Sequence, residues 1–304
     1  MKTVFFGTPD FAVPFLKTLH GDKDIEILAV VCQPDKKIGR KQILTQSPVK
    51  TEAAKLNLTV LQPQKLKNNP DFFNLIKALK ADFFVVVAYG KIIPTEYLDI
   101  PKYGAVNVHG SLLPRYRGAS PIQTALLNGD KETGISFMKI SKELDTGDVY
   151  LLKREAINKE DNFTTLSAKL AKTGAVMLPS VLKDIQNHVL EPIPQNDSKA
   201  TYCKKISKKD SLLDAQNESS ENILNKLRAY TPWPGIYINF NNKKIKIINA
   251  EITNDKVDVN PGNLKAVNKN LYLGTKNGAL IIYTIQPEGK KVLAAQDFIN
   301  GFLR

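Results

Sequence analysis

Residues 3–10 read Thr-Val-Phe-Phe-Gly-Thr-Pro-Asp, a β-branched and aromatic run followed by a glycine and polar residues. Such a run indicates a buried strand, and Thr8 and Pro9 suit the cap and first turn of a helix. Strand and helix patterns continue to alternate through the first half of the chain. This alternation predicts an α/β fold with a doubly wound, mostly parallel sheet of the Rossmann-like kind. Strands are predicted at 3–7, 25–32, 58–61, 82–89, 104–108 and 133–140, and helices at 9–20, 48–56, 70–80, 119–128 and 163–187.

The second half of the chain has a different pattern, which predicts a separate and smaller domain. Around residues 190–208 the sequence is rich in proline and lysine, and we interpret it as a basic interdomain linker. Short alternating runs then predict a small β-barrel preceded by a helix near 218–229. We therefore expect domains over 1–189 and 209–304. Strands of the second domain are predicted at 236–240, 244–250, 263–268, 271–274 and 279–285.

Charge and cysteine content narrow the class of protein. The 304 residues include 43 Lys and Arg against 30 Asp and Glu, and the net charge of +13 favours an anionic partner. Cys32 and Cys203 lie far apart without metal-binding spacing, so neither a disulfide framework nor a zinc site is predicted. The sequence has no signal-peptide pattern and no apolar run of membrane-spanning length. We therefore expect a cytoplasmic protein with no membrane partner.

The most informative motif covers residues 107–121, Asn-Val-His-Gly-Ser-Leu-Leu-Pro-Arg-Tyr-Arg-Gly-Ala-Ser-Pro. If its first residues end a strand, Asn107 and His109 project from one face, because strand side chains alternate. Open α/β sheets bind ligands at the carboxyl ends of their strands. Asp145 follows the next predicted strand, and folding is expected to bring its carboxylate to His109. An amide, an imidazole and a carboxylate would then converge.

Each of these three residues also has a structural explanation. A single histidine on a strand is usually a hydrogen-bonded structural residue, and Asp145 lies in a sequence that is typical of turns. Asn107 could tie two backbone segments together. Their joint occurrence beside Ser111–Pro114 favours catalysis instead. A nicotinamide-dependent oxidoreductase is disfavoured, because the first strand-to-helix turn lacks the GxGxxG glycine pattern.

The segments His109–Pro114 and Leu144–Asp148 resemble those of the formyltransferases that use N10-formyl-tetrahydrofolate. Four further segments make the chain most similar to the methionyl-tRNA formyltransferase family: Phe6–Phe11, Gln33–Asp35 with Gly39 and Arg40, Ser47–Lys50, and Pro232–Gly235. The resemblance implies an enzyme that transfers a formyl group from N10-formyl-tetrahydrofolate, a consumed co-substrate, to methionine on initiator methionyl-tRNA. We expect a monomer. No metal is implied.

The resemblance also implies site residues. It gives catalytic roles to Asn107, His109 and Asp145, and tRNA contact to the loop that contains Arg40. It implies that the C-terminal domain resembles an oligonucleotide-binding barrel and helps to hold the tRNA. Folate contacts are implied for the four residues after the glycine, Ser111, Leu112, Leu113 and Pro114.

The chemistry of formyl transfer suggests how three such residues would divide the work. Acyl transfer needs a neutral amine, a stabilised oxyanion and a proton for the leaving nitrogen. Asn107 would donate to the formyl oxygen, and His109 would stabilise the intermediate and take part in proton transfer. Asp145 would either orient His109 or relay the proton, through water if needed.

Two alternatives remain open at the level of sequence. A related enzyme that formylates a small amine, such as a glycinamide ribonucleotide or an amino sugar, would use the same three residues. A non-catalytic RNA-binding protein would account for the positive charge but not for the Asn, His and Asp group. The C-terminal extension and the basic loop favour a tRNA acceptor over both.

Overall fold

A computed structural model of the chain describes residues 1–39 and 41–303. Its strands, in chain order, are β1 Lys2–Gly7, β2 Glu26–Val31, β3 Lys36–Ile38, β4 Ile43–Thr45, β5 Val60–Leu61, β6 Phe83–Val87, β7 Ala105–His109, β8 Arg117–Gly118, β9 Glu132–Lys139, β10 Val149–Ala156, β11 Tyr202–Cys203, β12 Ile236–Phe240, β13 Lys243–Ile252, β14 Leu264–Val267, β15 Asn270–Thr275, β16 Gly278–Pro287 and β17 Leu293–Ala294. Its α-helices are α1 Val13–Gly21, α2 Pro48–Lys55, α3 Pro70–Ala78, α4 Thr95–Leu98, α5 Pro121–Leu127, α6 Phe163–Gln186, α7 Ser220–Tyr230 and α8 Ala295–Phe302. Short 3-10 helices cover Asp10–Ala12, Asp197–Lys199 and Lys208–Ser211.

The larger sheet has seven strands in the order β10-β9-β7-β6-β1-β2-β5. β1 runs parallel to both of its neighbours, β2 and β6, and the pairs β2–β5 and β6–β7 are also parallel. β9 is antiparallel to β7. Successive strands are added on one side of β1 and then on the other, so the winding reverses between β1 and β6. In open α/β sheets, ligands bind at the carboxyl ends of the strands at such a reversal.

Both faces of the central strands are apolar, as expected when helices cover a parallel sheet on both sides. One face buries Val4, Phe6, Val31, Phe84 and Val86 in a single cluster with residues of α3 and α4. On α1, Phe15 is fully buried. A Cβ added at Gly174 of α6 would lie 2.8 Å from the Phe15 ring, so α1 and α6 approach each other closely at this glycine.

The chain forms two compact units that are not contiguous in sequence. The first comprises Met1–Gly118, Thr133–Ala156 and Ser167–Tyr202, and the second comprises Ala119–Glu132, Ile157–Leu166 and Cys203–Arg304. Within the second unit, an antiparallel sheet has the order β12-β13-β16-β15-β14, and β17 pairs with β16. The helix α7 packs against β13 and α5, and α8 packs against β15, β16 and β17.

The predicted doubly wound, mostly parallel sheet and the smaller C-terminal β-sheet domain are confirmed. Several elements lay outside the predictions, among them α4, β8, β11 and β17. Residues 36–38 and 43–45 pair as a hairpin instead of forming an open loop. The strand β10 lies at the sheet edge, and its apolar residues Val149–Leu152 are followed by the exposed Lys153 and Arg154. The helix α8 was also not predicted.

The described residues carry no helix with both the length and the apolar character needed to cross a membrane.

Candidate active site

The carboxyl end of β7 brings Asn107 and His109 to one side of the sheet, two residues apart. His109 is buried, with 6% of its surface exposed, and Asn107 is half-buried. Asn107 lies between Val86 of β6 and Met138 of β9 in the strand register. An amide and an imidazole therefore share the end of a strand that is two positions from β1, where the winding of the sheet reverses.

The imidazole of His109 has a defined orientation. Its Nε2 lies 3.0 Å from the carbonyl oxygen of Tyr116. Because a carbonyl oxygen only accepts, Nε2 carries a hydrogen and donates it. The other ring nitrogen, Nδ1, lies 3.6 Å from Oδ2 of Asp145. Nδ1 is therefore the position at which the ring can gain and release a proton, and that position faces a carboxylate.

Asp145 is held in the turn between β9 and β10. Its backbone is in the left-handed region, with φ of 54°, a conformation that Asp and Asn adopt more readily than most residues. Its Oδ2 accepts a hydrogen bond of 2.8 Å from the backbone N–H of Gly118. Only 11% of its side chain is exposed. The predicted approach of Asp145 to His109 is thus present in the structure.

Gly147 allows this turn to lie close against the end of β9. A Cβ at this position would overlap the carbonyl oxygen of Lys139. The backbone N–H of Lys139 in turn donates to the carbonyl of Asp148 at 2.8 Å. A side chain at Gly147 would push the turn away from β9, and Asp145 would move with it.

The hydroxyl of Ser136 in β9 holds the segment Ser111–Pro114 through two hydrogen bonds to its backbone. The Ser136 hydroxyl donates to the carbonyl of Ser111 at 2.6 Å and accepts from the backbone N–H of Leu113 at 3.0 Å. Ser111 and Leu113 are buried, while Leu112 and Pro114 remain partly exposed. Of the four residues to which the resemblance assigns folate contacts, Leu112 and Pro114 therefore have accessible side chains.

A polar cluster joins the carboxyl ends of β1, β2 and β6. Thr8 Oγ1 and Gln33 Nε2 both donate to the carbonyl oxygen of Tyr89, at 2.9 and 2.8 Å. Nearby, the amide of Gln62 and the ammonium of Lys50 hydrogen-bond Asp35 and hold its carboxyl pKa below the ordinary value. Thr8, Gln33, Asp35 and Lys50 lie in the segments Phe6–Phe11, Gln33–Asp35 and Ser47–Lys50 that carry the family resemblance.

Burial raises the pKa of the Tyr89 hydroxyl to about 12. That hydroxyl therefore stays protonated across the physiological range of pH.

The residue expected to contact tRNA, Arg40, lies outside the described residues. The hairpin on either side of it carries the exposed apolar residues Ile43 and Leu44 and the exposed Lys37 and Lys41. Over residues 1–39 and 41–303, no three His, Cys, Asp or Glu side chains converge as a metal site would require.

Comparisons with known proteins match the chain to two formyl transferase families and to named relatives. The Formyl transferase family matches residues 1–182, and the Formyl transferase, C-terminal domain family matches residues 205–303. The methionyl-tRNA formyltransferase of Caldicellulosiruptor saccharolyticus is 44% identical over 99% of this chain and 97% of its own length. That of Sulfurihydrogenibium sp. is 43% identical with the same coverage of both chains.

Solved structures share the fold at lower identity. The N-formyltransferase from Helicobacter canadensis, in complex with folinic acid and dTDP-3-aminofucose, has a TM-score of 0.66 and 20% identity. The match covers 93% of this chain and 98% of that protein. HypX from Aquifex aeolicus, in complex with tetrahydrofolic acid, has a TM-score of 0.64 and 17% identity over 100% of this chain. This chain spans 48% of the length of HypX.

Proposed function

The chain belongs to the methionyl-tRNA formyltransferase family, and on that premise we propose that Asn107, His109 and Asp145 carry out its formyl transfer. The enzyme moves a formyl group from N10-formyl-tetrahydrofolate to the amino group of methionine on initiator methionyl-tRNA. The observation that carries the proposal is the 3.6 Å approach of Asp145 Oδ2 to His109 Nδ1 at a buried strand end.

The reaction exchanges one carbon–nitrogen bond for another. The amino nitrogen of methionine attacks the formyl carbon, and the bond from that carbon to N10 of the folate then breaks. One proton leaves the attacking nitrogen and one joins N10, so the protons balance without oxidation or reduction. Between these two events the formyl oxygen carries negative charge.

Asn107 supplies a hydrogen bond to that oxygen. Its amide is neutral and carries two donor hydrogens, so its interaction strengthens as negative charge develops on the substrate. Asn107 is half-buried, which leaves it open to a ligand, while the surrounding strand residues Val106 and Val108 are buried. Removing one such donor from an oxyanion site typically costs about a hundredfold or more in turnover.

His109 and Asp145 handle the proton. The Nε2–H of His109 donates to the carbonyl oxygen of Tyr116, so a second ring proton is added at Nδ1. A proton there lies opposite the carboxylate of Asp145, which stabilises the resulting positive charge. Distances in a site without substrate are often longer than those in the reacting complex. A small approach would therefore convert 3.6 Å into a hydrogen bond.

The remaining assignments follow from the family and extend the proposal. Ser111–Pro114 contact the folate, and Arg40 contacts the tRNA near its acceptor end. Residues 1–189 form the catalytic domain, 190–208 the basic linker and 209–304 the tRNA-binding domain, in a cytoplasmic monomer. The net charge of +13 supports an electrostatic contribution to tRNA affinity, because phosphate contacts supply much of that affinity.

The test is His109→Ala, compared with His188→Ala. His188 makes the same kind of pair, with Nδ1 3.7 Å from a Glu191 carboxylate, but both side chains are more than 70% exposed. We expect His109→Ala to lose about a hundredfold or more in formylation rate, because proton transfer and charge stabilisation are both removed. His188→Ala is expected to match the parent enzyme.

Single-turnover formylation of methionyl-tRNA measures the chemical step, and separate titrations with folate and tRNA measure binding. A near-normal rate in His109→Ala would remove this residue from the mechanism. Offering free amines and an amino sugar nucleotide beside methionyl-tRNA, with products identified by mass, tests the acceptor. Preference for a small amine would refute the tRNA assignment.

A further inference from the structure

We propose that Gln195 and Thr201 are positioning residues that hold Asp145 and the partner of His109 in place. Both lie in the segment 193–202, here called the strap, which follows α6 within the first compact unit. The inference rests on the proposed roles of His109 and Asp145. It assigns the strap a part in catalysis in addition to its part in connecting the two domains.

The side-chain amide of Gln195 donates two hydrogen bonds to the Asp145 turn. Its Nε2 donates to the carbonyl oxygen of Asp145 at 2.9 Å and to that of Gly147 at 2.7 Å. A side-chain amide has two donor hydrogens, and these two carbonyl groups engage both. The turn Asp145–Gly147 therefore cannot rotate without breaking a hydrogen bond to the strap.

Arg117 holds Gln195 in that orientation. The Gln195 Oε1 accepts from Nε and Nη2 of Arg117, at 3.1 and 2.9 Å. Arg117 is only 2% exposed, and its Nη2 also pairs with Asp197 of the strap at 2.7 Å. Because a guanidinium only donates, it can bind the oxygen of Gln195 and not its nitrogen. The amide nitrogen is thereby directed toward the Asp145 turn.

The next residue, Gly118, completes the arrangement by donating its backbone N–H to Oδ2 of Asp145. Asp145 is thus held at its backbone through Gln195 and at its carboxylate through Gly118.

Thr201 acts in the same way on the loop that faces the other ring nitrogen of His109. Its Oγ1 accepts from the backbone N–H of Tyr116 at 2.9 Å, and its carbonyl accepts from that of Arg117 at 2.8 Å. Its own N–H donates to the carbonyl of Pro114 at 3.2 Å. These three bonds hold the peptide whose Tyr116 carbonyl accepts from His109 Nε2.

The strap therefore fixes the two groups that face the two nitrogens of one imidazole. It is itself anchored to the sheet by paired backbone hydrogen bonds of 2.9 Å between Ile193 and Val149. Catalytic groups displaced by about 1 Å can lose on the order of a hundredfold in rate. Loosening the strap is therefore expected to lower kcat while the KM for folate changes little.

The first test is Gln195→Glu, with Gln64→Glu as the matched control. The glutamate keeps an oxygen for Arg117 but loses both donors to the Asp145 turn, so kcat should fall about 10- to 100-fold. Gln64 is exposed in the loop between β5 and α3, within the same compact unit, so Gln64→Glu makes the same chemical change outside the strap. It should change kcat less than twofold. Equal kcat in Gln195→Glu and the parent enzyme would overturn the proposal.

A double-mutant cycle with Asp145→Asn separates positioning from a general loss of stability. If Gln195 acts through Asp145, adding Gln195→Glu to Asp145→Asn should lower kcat by less than twofold further, because residues that act as a unit are not additive. Full additivity would refute the proposed coupling. Near-normal kcat in Asp145→Asn alone would instead refute the catalytic role of Asp145. That outcome would count against the proposed function and not against the hydrogen bonds of the strap.

A second pair of variants keeps the proposal testable if Gln195→Glu does not fold. Thr201→Val removes the oxygen that accepts from Tyr116 at nearly constant volume, whereas Thr201→Ser retains it. We expect a roughly tenfold loss of kcat in the valine variant and recovery in the serine variant, at an unchanged KM for folate. Equal kcat in the two variants would contradict the role of Thr201.

Discussion

The substitution Asp145→Asn isolates the charge of the proposed proton-handling pair. Asn is nearly the same size as Asp and also adopts left-handed backbone readily, so the φ of 54° is tolerated. Its amide oxygen can still accept from the N–H of Gly118, which now bonds Oδ2 at 2.8 Å. The fold of the turn should therefore survive, and the change is confined to the negative charge that faces His109.

The expected magnitude follows from the distance between the two groups. At 3.6 Å, a full positive charge on His109 and the carboxylate attract by about 4 to 5 kcal/mol at an effective dielectric constant of about 20. About 1.4 kcal/mol corresponds to a tenfold change in rate, so complete loss would cost roughly a thousandfold. Because the amide keeps a dipole and solvent screens part of the charge, we expect a loss of about 100- to 1000-fold.

The assay is single-turnover formyl transfer at saturating formyl-folate and methionyl-tRNA, with thermal unfolding measured in parallel. Asp148→Asn is the matched control, since it makes the same chemical change three residues away in the same turn and should leave the rate within about twofold. If folded Asp145→Asn retains more than about a tenth of the parent rate, the charge on Asp145 does not stabilise the reacting histidine.

Three further outcomes test other parts of the site. Asn107→Ala should lower the chemical step about a hundredfold while folate affinity changes little; an effect on affinity alone would make Asn107 a ligand-positioning residue. Ser136→Ala should leave the backbone N–H of Leu113 without a partner, which lowers the free energy of unfolding by about 1 to 3 kcal/mol and raises the KM for folate. Denaturant titration measures the first effect and initial rates measure the second. Unchanged values of both would refute the role of Ser136 in supporting the segment Ser111–Pro114. Arg40→Ala should weaken tRNA binding and reduce the salt slope by about 0.7 to 0.9 for one lost phosphate contact; an identical slope across a salt series would remove Arg40 from the tRNA interface.

Much of the fold could be predicted because its strands are locally distinctive. The strands β1, β6 and β7 are short apolar runs between turn residues, and their buried faces require that composition. The same reasoning did not place β10, an edge strand in which the apolar residues Val149–Leu152 are followed by the charged Lys153, Arg154 and Glu155. Sequence periodicity therefore identified the interior of the sheet better than its edge.

The candidate site was predictable to the extent that it lies on one strand. Asn107 and His109 share a face by strand alternation alone. Asp145 needed the further inference that the turn after the next strand returns to the same edge. Gln195 gave no such signal, because it is separated from Asp145 by 50 residues and lies in a segment whose proline and lysine content resembles a linker. Hydrogen bonds between side chains and distant carbonyl groups leave no periodic pattern.

The contact between Gln195 and the Asp145 turn also has a consequence for biosynthesis. The two residues are separated by 50 positions, so the ribosome adds Gln195 roughly 3 to 10 s after Asp145 at about 5 to 20 residues per second. Until then the turn lacks both of the hydrogen bonds that Gln195 supplies. All seven strands of the larger sheet are therefore synthesised before Gln195, the residue that holds the Asp145 turn.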